Sequence, residues 1–448
     1  MPNTVSENSQ DPTIAESEAW LARARGLVPA ATQTLAKGPG QYVRGVAPVF
    51  ASRAKGSRLW DVDGNEYLDW QMAIGPIVLG YGHAAVDEAI RRQLADGITF
   101  SLVHPLEVEV AERVRDVVPN AEMVRFSKTG CDVTSAAVRL ARAFTGRTKV
   151  LCCGYHGWHD WYIATTDRHA GIPETTRDLV STFQYNDLES VREGLDEDVA
   201  CVILEPVTFE EPRDGFLHEL QRLCAKNGSL LVFDEMWTGF RVALGGAQQR
   251  YDVRADLACF SKAVANGMPL SILTGRRDVM TLLERQVFFF TTFGGEALSL
   301  AAAKATIDEL RAHDVPATLE RRGKRLAEGV RAIASELGMP YVSCVGLPAR
   351  TMVAFAATGD ASGQNPLELK SLAQQELLRR GILWGGFHNL SFAHTDADVD
   401  YTLSSWRAVL GIVKAAVAER RVRSALRGEP VEPVFRKTSH FHTKPAAR

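Results

Sequence analysis

Five short apolar runs decide what this chain of 448 residues can fold into. They read KVLCCGY from Lys149, VACVILEP from Val199, SLLVFDE from Ser229, LACFS from Leu257 and LSILTG from Leu270. None alternates cleanly between apolar and polar residues. Strands buried on both faces of a sheet read this way, whereas half-solvated strands alternate. Between the runs lie amphipathic stretches such as DVTSAAVRLARAFTG and FLHELQRLCAKNG, with apolar residues at helical spacing. Strand and helix in turn, over about residues 76 to 325, call for an α/β fold with a mostly parallel sheet.

Outside that block the pattern changes. The first 17 residues are polar and are expected to be disordered. Residues 18–37 read as helical. GSRLWDVDGNEYLDW reads as a hairpin, with Leu59 and Trp60 entering a turn at Asp63-Gly64 and Tyr67 and Leu68 leaving it. Beyond about residue 330 the reading is mixed α+β. LKSLAQQELLRRG is a helix with Gly381 at its end, and residues 396–428 give long helical stretches. The last twenty residues, 429–448, are Pro-rich and basic, and are expected to be peripheral.

Composition narrows the function. The net charge of −3 gives no reason to expect nucleic acid or an anionic membrane as partner. No apolar run reaches the roughly 18 residues needed to span a bilayer. The polar, acidic start lacks the pattern of a secretion signal. Cys152, Cys201 and Cys259, three of seven cysteines, lie in apolar runs and read as buried thiols rather than disulfides. The expected compartment is the cytoplasm.

Four features fall at the ends of the buried strands or at helix starts, where open α/β sheets place ligands. Thr129, Gly130 and Cys131 precede a helix whose free N–H groups suit an anion, and glycine permits close approach. Tyr155, in GYHGWHDW, offers a ring to stack on a flat cofactor; a core aromatic, or a zinc pair of His156 and His159, is the alternative. No further ligand cluster accompanies that pair, so no metal is expected. Asp234 ends an apolar strand and needs a cationic or hydrogen-bonded partner; an arginine or a helix cap would also serve. Lys262 ends another such strand. A lysine with a lowered pKa forms Schiff bases, although a plain surface lysine is the commoner case. Together, the lysine, acid, aromatic and anion site are what pyridoxal 5′-phosphate (PLP) requires.

The motifs LWDVDGNEYLDW, GPIVLGYGH, VRFSKTG, RLARAFTGR, GYHG, FDEMWTGFR, DLACFSKAVANGMPLS and TFGGEALSLAAA resemble the class III PLP-dependent aminotransferases. The resemblance covers roughly residues 35–420. AHTDADVD is similar to a signature of their glutamate-1-semialdehyde 2,1-aminomutase branch. The family implies fold type I, with a large PLP domain (76–325) and a small domain from both chain ends (18–75 and 326–428). It also implies a homodimer with shared active sites. By resemblance Lys262 is the Schiff-base lysine and proton carrier, and Asp234 holds the pyridinium nitrogen. Tyr155 stacks on the ring and Met236 lies on its other face. Thr129, Gly130 and Cys131 cradle the phosphate, with His156 and Glu205 near the cofactor. Thr292 is a phosphate ligand donated to the partner subunit.

The departures fall where substrate is held. The cradle reads TGCD, Glu296 stands where asparagine is common, and Ile74 stands where the aminomutase branch has an aromatic. Arg44, His388 and Asn389 are the candidates for contacting substrate, with Trp384 beside them. The resemblance therefore implies an aminotransferase, passing an amino group from an amino-acid donor to a ketone or aldehyde through a pyridoxamine phosphate form. The alternatives are the aminomutase and, behind it, an epimerase or decarboxylase.

Overall fold

In a computed structural model, described here over residues 11–358 and 363–433, the hairpin forms. After β1 (Ala51–Lys55), β2 (Arg58–Asp61) and β3 (Glu66–Asp69) pair antiparallel, with Leu59 opposite Tyr67 and Gly64 in the left-handed region at φ 89°. The turn residue Asp63 does more than turn the chain. Its carboxylate accepts the N–H groups of Glu16 and Ser17, at 2.8 and 2.9 Å, and so caps a helix over Ala15–Arg25. This corrects the expectation of disorder through residue 17, because composition does not reveal a cap supplied from 46 residues away. Residues 1–10 lie outside the described part. The expected helix over 18–37 stops at Arg25; Gly26 and Pro29 follow, and short 3₁₀ turns take over at Pro29–Ala31 and Leu35–Lys37.

The block of apolar runs builds one sheet. Its strands are β4 (Met123–Ser127), β5 (Lys149–Cys153), β6 (Val180–Thr182), β7 (Val199–Leu204), β8 (Leu230–Asp234), β9 (Leu257–Phe260) and β10 (Ser271–Gly275). The order is β4-β10-β9-β8-β7-β5-β6. Only β10 runs against its neighbours. Every residue of β7, β8, β9 and β10 is buried, as the unbroken apolar runs demand. The helix Gly130–Thr145 covers one face with Val133, Ala137 and Leu140, and ends at Gly146 with φ 71°.

The rest of the chain forms β11 (Val342–Val345), β12 (Arg350–Phe355), β13 (Ile382–Leu383) and β14 (Phe387–Asn389). Strand β13 joins the first hairpin alongside β3, and β11-β12-β14 make a second small sheet. The chain thus divides into two units. One runs up to His83 and resumes at Thr318; the other spans Ala84–Ala317. The first boundary lies past residue 75 because Tyr81 pairs with Gly56 and Val78 accepts the N–H of Phe392. The second lies before residue 326 because Arg322 donates to the carbonyl of Phe392. Nor is the start of the C-terminal segment peripheral: Glu429 exchanges backbone hydrogen bonds with Arg44, and Val431 is buried. Residues 434–448 are outside the described part. Among the described residues no helix is long and apolar enough to cross a membrane.

Candidate active site

The cradle is built where β4 hands over to the helix Gly130–Thr145. The Asp132 Oδ2 accepts from the Ser127 hydroxyl at 2.7 Å, the Thr129 N–H at 2.8 Å and the Lys128 N–H at 3.3 Å. Thr129 Oγ1 accepts the Asp132 N–H in return, which completes a capping box. Burial works to raise the Asp132 carboxyl, but Ser127 and Thr129 outweigh it and hold it below the usual range. The N–H groups of Gly130 and Cys131, first in the helix, have no intrahelical carbonyl to meet. A Cβ on Gly130 would stand 2.9 Å from Met236 Sδ, so glycine lets the methionine close over the helix start. Burial pushes the Cys131 thiol up, although the Trp158 N–H donates to its sulfur.

Two residues past the end of β5 stands Tyr155. Its N–H donates to Glu205 Oε1 at 2.7 Å, while the Glu205 N–H donates to the Cys153 carbonyl at 3.1 Å. Glu205, past the end of β7, therefore holds the backbone that carries the aromatic. Gly154, at φ 106°, leaves room for that carboxylate; a Cβ there would lie 2.9 Å from Glu205 Cγ. The Tyr155 ring is half-buried and meets Tyr162 edge-on at 5.7 Å.

His156 is the partner that Asp234 requires. Nδ1 lies 2.8 Å from Asp234 Oδ2, and Nε2 lies 3.1 Å from the Cys153 carbonyl oxygen. A carbonyl only accepts, so Nε2 bears a hydrogen and donates it to Cys153. The other Asp234 oxygen accepts the Met236 N–H at 3.1 Å. Both side chains are buried, so this pairing is what makes a carboxylate tolerable at the end of β8. Thr134 Oγ1 donates to the His156 carbonyl at 3.0 Å and ties the loop to the cradle helix. Among the described residues no three His, Cys, Asp or Glu side chains gather as a metal ion would require.

Lys262 follows β9, in which Cys259 pairs with Asp234 of β8. It opens a 3₁₀ turn, is half-buried and sits in the left-handed region at φ 48°. A residue with a Cβ held there is strained, and such strain persists where surrounding structure and function demand it. Strands β5, β7, β8 and β9 are adjacent and parallel. Asp234, the last residue of β8, and the residues following these strands, Tyr155, His156, Glu205, Met236 and Lys262, thus lie along the C-terminal edge of the sheet. The edge carries a lysine, a carboxylate backed by imidazole, an aromatic ring and an anion cradle.

The expected substrate residues behave differently. His388 is 0% exposed. The Trp406 N–H donates to its Nε2 at 3.1 Å, which makes Nδ1 the protonated nitrogen, donating to Thr351 Oγ1 at 2.8 Å. Burial drives its pKa down to about 3. His388 is therefore a neutral core residue and not a substrate contact, and Trp384 beside it is fully buried too. Asn389 is buried, donates to the Gln71 carbonyl, and leaves Oδ1 without a hydrogen-bond partner. Arg44 is exposed and turned toward Glu432, 3.6 Å away. Thr292 is exposed in the segment before Glu296. Sequence reasoning missed two groups: Lys128, which pairs with Glu296, and Glu235, a fully buried carboxyl behind Asp234. A lysine directly before the cradle and the unusual glutamate were the available signal for the first.

The family model for class III aminotransferases matches residues 41–390. A 3-aminobutyryl-CoA aminotransferase of Cloacimonas acidaminovorans (strain Evry) is 33% identical over 413 residues, covering 90% of this chain and 98% of that one. A glutamate-1-semialdehyde 2,1-aminomutase of Desulfitobacterium hafniense (strain DSM 10664 / DCB-2) is 37% identical over 433 residues, covering 88% and 97%. Among solved structures, the FumI protein of Sphingopyxis sp. MTA144 superposes with a TM-score of 0.83 at 29% identity, over 90% of this chain and 97% of its own. A PLP-bound transaminase follows at 0.82 and 25%. The sheet, the cradle and the matches agree: this chain belongs to the class III aminotransferases, PLP-dependent enzymes of fold type I.

Proposed function

We propose that this enzyme transfers an amino group from an amino-acid donor to a ketone or aldehyde acceptor. The observation that carries the reading is the cofactor edge, Lys262 with the His156–Asp234 pair and the Gly130 cradle, taken with a sequence that departs from the aminomutase branch at Ile74. The residues fit PLP. The N–H groups of Gly130 and Cys131, with Thr129, would hold its phosphate, and the helix start favours that anion. Asp234 would face the ring nitrogen, and His156, 2.8 Å away, holds that carboxylate aimed. Tyr155 and Met236 would flank the ring. Bound PLP supplies the sink for the electrons left when a substrate C–H bond breaks. Lys262 Nζ would serve as the general base that takes the proton from the donor carbon and as the general acid that gives it back.

The aminomutase is the second reading, and the relative of that name supports it. Against it stands Ile74, where that branch has an aromatic. The two separate cleanly. With PLP loaded, a panel of amino donors should bleach the visible cofactor band, and a second panel should identify the carbonyl acceptor. Net isomerisation of glutamate 1-semialdehyde with no donor would favour the second reading. No response to any common donor would overturn the first.

The enzyme is further read as a homodimer in the cytoplasm. Phe288, Phe290 and Phe293 surround Thr292 and are 74%, 68% and 56% exposed. The Ala297 N–H donates to the Ile98 carbonyl, which brings exposed Phe100, Leu102 and Val103 beside the same surface. A second copy covering these side chains would remove a large apolar patch from water and bring Thr292 to the partner's cradle. Sedimentation at micromolar concentration should give a dimer; a monomer would contradict this reading. Six of the seven cysteines are buried free thiols, which suits a reducing compartment.

A further inference from the structure

Lys128 stands between β4 and the cradle, and its side chain leaves the strand to meet Glu296 at 2.9 Å. The two side chains are 18% and 11% exposed, so the pair is largely out of water. Glu296 is fully engaged: it also accepts from the Leu298 N–H at 2.6 Å, the Ser299 N–H at 3.2 Å and the Ser299 hydroxyl at 2.6 Å. It thereby caps the helix Ala297–Ala312. The segment before it, which carries Thr292, lies along β4. Arg125 donates to the Phe289 carbonyl at 3.0 Å, and a Cβ on Gly294 would stand 2.9 Å from the Phe126 carbonyl oxygen. The Lys128–Glu296 contact is the last of this series and the one nearest the cradle. On its other side the same short turn is held by Asp132, which takes the N–H groups of Lys128 and Thr129.

We propose that Lys128 and Glu296 form a positioning pair that fixes the phosphate cradle against the Thr292 segment, so that PLP binds to a turn already in place. The proposal rests on the PLP reading above and names a function for two residues that touch no cofactor atom in it. A pair withdrawn from water is costly to break, because removing either charge leaves the other buried and uncompensated. The turn next to the broken pair consists of Thr129, Gly130 and Cys131, the residues that would hold the phosphate.

The test measures PLP uptake by the apoenzyme through the visible cofactor band, together with the thermal midpoint of the apoenzyme. Lys128→Met, Glu296→Gln and the double variant are compared with wild type, and Lys128→Arg serves as the conservative control. A positioning pair predicts that each single change raises the PLP dissociation constant about tenfold, equivalent to about 1.4 kcal/mol. The double variant should be no worse than either single change, since both remove one interaction. Lys128→Arg should restore most of the affinity. If the two charges acted only through their fields on the phosphate, Lys128→Met would weaken PLP and Glu296→Gln would tighten it; opposite signs overturn the proposal. So does an unchanged PLP constant with a lowered apoenzyme midpoint, which would make the pair merely structural. Failure of wild-type protein to take up PLP would remove the reading beneath, and the proposal with it. That result differs from normal wild-type uptake with indifferent variants, which sinks the pair alone.

Discussion

At the scale of single residues, the chain keeps its titratable groups by giving each a defined partner. Glu235 shows the cost of doing so. It is fully buried directly behind Asp234, and its Oε2 accepts from the Thr238 hydroxyl and from the Ala247 N–H at 2.7 Å, its Oε1 from the Gln248 N–H at 3.0 Å. Burial, with the Asp234 charge as a smaller contribution, raises its pKa from 4.5 to about 7 despite those hydrogen bonds. The folded protein thus binds this proton more tightly than the unfolded chain does. The associated stability is fully present below about pH 4.5 and is lost as pH rises through about 7. The loss is on the order of 3 kcal/mol. Glu235→Gln cannot titrate. Its unfolding free energy should therefore fall less between pH 5 and pH 8 than the wild type's, even though the level drops at both ends. Denaturant titrations at the two pH values check this; equal slopes in both proteins would refute the buried, raised carboxyl. Nothing in FDEMWTGFR separates Glu235 from a solvated glutamate, because its burial is set by residues 246–248, distant in sequence. Lys262 and Asp234 were legible for the opposite reason: each ends an apolar run, where a charge demands an explanation from sequence alone.

At the scale of elements, the unbroken apolar runs became β5 and β7–β10 in place. The direction of β10 did not follow from them, since a strand buried on both faces reads alike whichever way it runs. A helix end was legible where a glycine marks it in sequence, at Gly381, which lies in the left-handed region at φ 63° just past the helix Pro366–Leu378, and illegible where the cap comes from elsewhere, as at Asp63. Close approaches between elements were equally hidden. Gly323 sits within the helix Val315–Glu336, where intrinsic propensity favours alanine by up to about 1 kcal/mol. A Cβ there, however, would run into the carbonyl oxygen of Pro348, in the turn between β11 and β12. Gly323→Ala should therefore destabilise the protein by about 1–3 kcal/mol, the range for overpacking. A thermal midpoint that rises would show that the helix and the turn are not in contact.

At the scale of the whole molecule, the fold type and the cofactor chemistry were readable because each rests on local patterns that recur along one stretch of chain. The acceptor was not. Arg44, His388 and Asn389 lie in segments whose side-chain directions depend on distant pairing: β14 with β12, and Arg44 with Glu429. Alternation along so short a strand as Phe387–Asn389 could not say which side chain faces the core, and the structure puts His388 there. What joins every level of the account is a single covalent claim, that the amine of Lys262 is the one that takes the cofactor's aldehyde. Loading the protein with PLP, reducing it with borohydride and mapping the labelled peptide by mass spectrometry tests this directly. The account predicts one phosphopyridoxyl group per chain, on Lys262, and none in Lys262→Ala. A label on another lysine, or no label on PLP-loaded wild-type protein, would contradict it.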